Sequence, residues 1–288
     1  MGDIIYREFD QEALDAQYNC RGAVPDFDDH MVRWGGLAKL AFDSFEVRTD
    51  LAYGARPAEK LDFFLPAGPG PHPLMIFIHG GYWRAMDKDV HAFPARSFVP
   101  DGIALASINY TLAPAADMDQ IVRECRTAVA WCARNAADLN IDADRIHVSG
   151  HSAGGHLTAM MMASDWPAFD SALPENLVKS GVAISGLYDL EPIRHTFLNE
   201  DVRLTDDVAA RNSPLLLIPG GVGAMVIAAG GIEAGEFHRL QSELVTAWTP
   251  YIPDIEVVEM PGLHHFNVVT ALGERDSPLY QASRKRIL

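Results

Sequence analysis

Ser152 stands at the centre of Gly150-His-Ser-Ala-Gly154. A serine with glycine two residues to either side fits a turn too tight for flanking side chains, with the hydroxyl at its apex. Such a hydroxyl becomes a useful nucleophile when a base takes its proton and a carboxylate holds the base in the right tautomer. The amide of Ala153, first past the turn, would open a helix and face any negative charge that develops there. The alternative is an ordinary turn whose serine only caps the following helix.

A second glycine run, His79-Gly80-Gly81-Tyr82-Trp83, could bring further backbone amides to the same charge. The amides of Gly81 and Tyr82, with that of Ala153, are the expected oxyanion donors, and His79 is read as a brace for the loop. Two histidines compete for the base, His264 and His265, and His265 is favoured because it directly precedes Phe266 and the next helix. For the acid, Glu233 sits in a loop free to turn toward the histidine, whereas Glu236 begins a helix, where a carboxylate has a structural use. Asp189 is read as a structural hydrogen-bonder of its own turn, and His151 and His156 as packing residues. Tyr82, Trp83 and Arg84 are the candidate substrate-binding residues: two aromatic walls and a cation that either meets a substrate carboxylate or faces solvent. Phe27, Met31 and Trp34 could line the pocket from above.

Those residues need strands to hold them. Leu74–Ile78, Ile103–Ile108, the run around Ile146 and Val148, Gly181–Ile184, Ala224–Ala229 and Ile255–Met260 are short apolar runs, as expected of strands buried on both faces. Helical spacing lies between them, over 118–139, from Gly155 to Ser164 and over 236–248. Alternation of this kind predicts a mostly parallel sheet covered on both sides, with the ligand at the carboxyl ends of the strands. Every motif above falls at such an end, in the order serine, acid, histidine. Before the sheet come an N-terminal helical segment (1–42), with helices over 11–18 and 26–41, and an antiparallel hairpin from 45–48 and 60–65. Pro66 to Pro73 is expected to carry neither helix nor strand. Residues 190–222 are expected to be an irregular cap, and the whole of 1–288 a single domain.

A net charge of -16 argues against nucleic-acid binding. The three cysteines, Cys20, Cys125 and Cys132, form no metal-like cluster and suit a reducing cytoplasm. No stretch is apolar enough to span a bilayer, so no membrane partner is expected. No His-x-His or His-Glu-x-x-His spacing supports a metallohydrolase, so neither metal nor other cofactor is expected. A non-catalytic binding protein is disfavoured because no triad member is missing. Acyl transfer to an acceptor other than water, and a homodimer, both stay open.

His79-Gly-Gly-Tyr-Trp83, Gly150-His-Ser-Ala-Gly-Gly-His-Leu157, Ser185-Gly-Leu-Tyr-Asp-Leu-Glu-Pro192 and Glu236-Phe-His-Arg-Leu-Gln-Ser242 together resemble the kynurenine formamidase (arylformamidase)-like branch of the α/β-hydrolases. The resemblance runs from about residue 18 to 275. It implies the α/β-hydrolase fold, a triad of Ser152, Glu233 and His265, and metal-independent cleavage of small carboxylic esters or N-formyl aryl amides such as N-formyl-kynurenine. Two departures stand out: Glu233 where related enzymes often carry Asp, and Leu240 inserted into the usual Arg-Gln-Ser run.

Overall fold

Every residue of β3 (His72–Ile78) is buried, as a strand must be when helices cover both of its faces. The computed structural model describes residues 2–220 and 223–288. Around β3 lie β1 (Glu46–Ala52), β2 (Lys60–Leu65), β4 (Ala104–Ile108), β5 (Ile141–His151), β6 (Val178–Ile184), β7 (Ala224–Gly230) and β8 (Asp254–Met260). They join one sheet in the order β1-β2-β4-β3-β5-β6-β7-β8. The pairs β1–β2 and β2–β4 are antiparallel, and all pairs from β4 onward are parallel.

Six longer helices flank or cover the sheet: α1 (Gln11–Tyr18), α2 (Phe27–Ser44), α3 (Met118–Arg134), α4 (Ala153–Met162), α5 (Gly235–Trp248) and α6 (Pro278–Arg284). Side-chain caps set three of their starts. Asp10 accepts the Ala13 amide, Asp117 that of Gln120, and Ser277 that of Tyr280. The N-terminal segment lies over the carboxyl end of the sheet. Gln11 donates to the His195 carbonyl, Tyr18 to Glu236, and the buried Trp34 indole to the Phe266 carbonyl at 3.0 Å. Among the described residues, no helix is long and apolar enough to cross a membrane.

Four expectations need correction. The helix expected over 118–139 stops at Arg134, where Asn135 leaves helical geometry (φ -100°, ψ 18°) with both its backbone and its side-chain amide on the Trp131 carbonyl; a separate turn, Ala136–Leu139, follows. The proline-rich connector does enter the sheet. The β3–β5 register breaks between His72 and Leu74, and that irregularity accommodates Pro73, which has no amide to give. The segment 190–222 is not irregular throughout: it folds into helical turns Glu191–Arg194, Asn199–Val202 and Asp206–Arg211 and a tighter turn at Pro214–Leu216. Its last two residues, 221 and 222, lie outside the described residues. The helix expected directly after Phe266 is a tight turn, Val268–Gly273, and α6 follows it.

Candidate active site

Ser152 follows β5 directly and adopts φ 58°, ψ -119°, a positive φ that residues other than glycine seldom hold. The chain can turn that sharply because of its neighbours. A Cβ at Gly150 would meet the Gly154 carbonyl, and one at Gly154 would meet the carbonyl of Ile78 on β3. Ser152 makes no capping bond to α4, so its hydroxyl is free for other work. This disposes of the simple N-cap alternative.

His265 follows β8 and Glu233 follows β7. The His265 Nδ1 to Glu233 Oε2 distance is 2.7 Å, and both side chains are almost wholly buried. The other oxygen of Glu233 accepts the Ser185 hydroxyl at 2.5 Å and the Gly230 amide at 2.6 Å. Burial alone would raise the Glu233 pKa; His265, Ser185 and Gly230 together hold it below the usual range. The alternative acid, Glu236, is engaged elsewhere, by Tyr18 at 2.8 Å and by Arg239. His264, the alternative base, accepts the Phe266 amide at 3.1 Å and packs its ring edge-to-face on His30. Asp189 accepts the Glu191 amide and the Tyr6 hydroxyl, in a structural role.

Ser152 and His265 line one cavity of about 210 Å³. None of the hydrogen bonds among the described residues joins the two; such contacts commonly tighten only when substrate is bound. The loop after β3 forms one wall. Gly81 has φ 101°, and a Cβ there would strike the Ala85 carbonyl. Among the described residues the amides of Gly81 and Tyr82 have no backbone acceptor, and Ala153 is the first residue of α4, where amides lack helical partners. His79 braces this loop: its Nδ1 lies 2.8 Å from the Gly80 carbonyl and its ring stacks on Tyr110.

Of the expected substrate-binding residues, Tyr82 and Arg84 line the cavity. Trp83 does not. It is fully buried, with its indole donating to His156 Nδ1 at 3.1 Å. Tyr82 and Trp83 both have positive φ, and the turn they make sends Trp83 into the core. Arg84 is already ion-paired with Asp201 of the cap segment and lies over the Phe197 ring. Phe27 lines the cavity as expected, whereas Trp34 supports it from beneath through Phe266. His156 is held at both nitrogens, by Trp83 and the Asn212 carbonyl, while His151 packs against His265 and borders the cavity. Leu240 is a buried core residue of α5.

Cys20 is a site residue that sequence reasoning missed. Its sulfur lies 3.2 Å from the Tyr82 hydroxyl, whose own proton goes to the Tyr18 carbonyl, so the thiol is the donor. Cys20 also shares the cavity wall with His265. A second cavity, of about 200 Å³, lies beyond this pair and is lined by Val24, Ile232, Ala234 and Phe237. Cys20 and His265 border both cavities. Nothing local marks Cys20; only the folding-over of the N-terminal segment brings it here. Ser185 carried a signal, since it ends a strand just as the other site residues do.

A hydroxyl at the apex of such a turn, sharing a cavity with an acid-steadied imidazole at the carboxyl end of a parallel sheet, defines a serine hydrolase of the α/β-hydrolase class. The BD-FAE family model matches residues 61–218. The kynurenine formamidase of Danio rerio is 31% identical over 244 residues, 83% of this chain and 81% of its own. That of Salmo salar is 32% identical over 240 residues, 81% of this chain and 79% of its own. A crystal structure from Silicibacter sp. TM1040, provisionally designated a thioesterase, is 33% identical with a TM-score of 0.82, over 93% of this chain and 98% of that one. The chain belongs to the BD-FAE family, within the kynurenine formamidase-like branch of the α/β-hydrolases.

Proposed function

We propose that this hydrolase cleaves N-formyl aryl amides and small carboxylic esters, with Ser152, His265 and Glu233 as its triad. The observation that carries the assignment is the 2.7 Å contact between His265 Nδ1 and Glu233, in the cavity that Ser152 also lines. His265 takes the Ser152 proton as Oγ attacks the acyl carbon. The amides of Gly81, Tyr82 and Ala153 hold the oxyanion. Collapse expels the amine or alcohol, protonated by His265, and leaves an acyl-enzyme. Water, deprotonated by the same imidazole, then releases the acid and restores the serine. Each step is complete with these groups alone, so the mechanism calls for no metal. Phe27, Tyr82 and Phe266 on the cavity wall favour a flat substrate.

The formamidase names of the relatives favour the amide. The pairing of Arg84 with Asp201 favours small esters, because a substrate carboxylate would have to displace Asp201. Turnover of N-formyl-kynurenine beside p-nitrophenyl acetate and butyrate, with Ser152→Ala as control, decides between them. Preference for the formyl amide supports the formamidase assignment, and ester turnover without deformylation makes the protein a carboxylesterase. Unchanged turnover by Ser152→Ala would remove the assignment altogether. All three cysteines are free thiols, which fits a cytoplasmic protein. The site is built from one chain, so a homodimer is compatible with the chemistry and not required by it. The continuous sheet fits a single domain.

A further inference from the structure

We propose that Asp26, His30 and His264 bind one divalent transition-metal ion of borderline softness, such as zinc, and that the ion clips α2 to the loop carrying His265. Each residue offers a ligand atom, and the three atoms lie within 4.8 Å of one another. Asp26 precedes α2 and His30 lies one turn on, so the two share a face, with Asp26 Oδ2 and His30 Nε2 3.4 Å apart. That separation is already close to the roughly 3.3 Å edge of a tetrahedron with metal–ligand distances near 2.0–2.1 Å. His264 enters from the loop after β8, its ring 4.6 Å from that of His30.

His30 supplies an independent reason to expect a ligand. It is only 9% exposed, yet among the described residues neither ring nitrogen makes a hydrogen bond, and Nε2 meets Asp26 only at 3.4 Å. A buried imidazole left in this condition costs free energy that a ligand would recover. Asp26 makes no capping bond to α2 and is largely exposed, so its carboxylate can turn toward an ion and solvent can supply the remaining position. Two imidazoles and one carboxylate suit zinc, cobalt(II) or nickel(II) better than calcium or magnesium. Asp26 and His30 stand far from His264 in sequence, which hides the set from a search for spaced motifs.

His264 Nδ1 currently accepts the Phe266 amide. Ligation through that nitrogen exchanges a 3.1 Å hydrogen bond for a metal bond and draws on the loop between His264 and Phe266, which holds His265. The ion is thus a structural clip and not part of the hydrolytic machinery. It sits beside the base and touches none of the reacting atoms.

The test is calorimetric titration of metal-free protein with zinc chloride, beside cobalt(II) titration followed by visible absorption. Wild type and Ser152→Ala should each bind one ion per chain, and cobalt should give the intense bands of low-coordinate geometry. His30→Gln and Asp26→Asn should weaken binding by more than about tenfold while keeping metal-free melting temperature and turnover. Zinc should raise the melting temperature of wild type and not of these variants. Absence of binding at about 100 μM zinc, where even a weak specific site would fill, would overturn the proposal. So would binding whose strength is the same in both variants. Because Ser152→Ala must bind as wild type does, the outcome is independent of the hydrolase assignment.

Discussion

Glu233 and Glu236 differ by three positions and by everything around them. Glu233 faces His265, whereas Glu236 is consumed by Tyr18 and Arg239. Glu233→Gln should therefore lower kcat by on the order of 10⁴-fold, as loss of an orienting carboxylate does in comparable triads. Glu236→Gln should cost mainly stability. Steady-state kinetics beside thermal melts separate the two, and equal kinetic losses would sink the distinction. The base has a pH signature too. Burial disfavours the His265 imidazolium, but Cys20 and Glu233 outweigh burial and hold its pKa above the ordinary histidine range. Only neutral imidazole can accept the serine proton. Activity should thus still be rising above about pH 8, where a histidine of ordinary pKa near 6.5 would already have levelled off. Cys20→Ala removes one of the two raising partners and should move that rise to lower pH. A kcat/KM profile that does not move would show that Cys20 leaves the base alone. Ser152, Glu233 and His265, the proposed triad, are readable as candidates because each sits in a local pattern of glycines or at a strand end. Cys20 and Asp201 are not, because their roles come from contacts between segments remote in sequence.

Strands were easier to locate than helix ends. A run buried on both faces leaves an unbroken apolar signature, as in β3 and β4, whereas the break at Asn135 depends on the backbone angles of one residue. The cap segment was misjudged for a related reason. Its helices are one or two turns long, too short for a helical period to show. The N-terminal segment matters beyond its length. Through the Trp34 indole, α2 holds the carbonyl of Phe266, the residue after the base. Trp34 is fully buried, so Trp34→Ala should cost about 3–5 kcal/mol of stability. Trp34→Phe keeps most of the packing but loses the hydrogen bond and part of the indole's volume. It should cost about 1–3 kcal/mol and lower kcat more than it raises KM. Urea unfolding beside kinetics checks both, and a Trp34→Phe variant with unchanged kcat would uncouple α2 from the base.

The molecule as a whole is acidic, with a net charge of -16, so a carboxylate that keeps two arginines to itself is set apart from most. At the C-terminal end, Asp101 gathers Arg275, Arg284 and the Tyr280 hydroxyl. Burial would raise its pKa, but these three partners hold it below the usual range. A depressed carboxyl pKa stabilises the fold fully above the unfolded value, near 3.9, and that contribution disappears as pH falls through the folded value. Asp101→Asn should cost about 1–2 kcal/mol at pH 7, discounted because both arginines are partly exposed. The gap from wild type should close on acidification, read by denaturant melts across pH. A gap that stays constant to strongly acidic pH would assign it to lost packing instead.

The left-handed turn at Ser152 has a consequence for the intact protein as well as for its chemistry. Tyr82, Ser152 and Ser185 all hold positive φ without being glycine, and all three sit at the site. Backbone strain of this kind costs of order 1–3 kcal/mol per residue, so the mouth of the enzyme is a place where stability has been exchanged for geometry. Glycine at position 152 would relax that turn at the expense of the nucleophile. The inactive Ser152→Gly protein should then melt at a higher temperature than the active one.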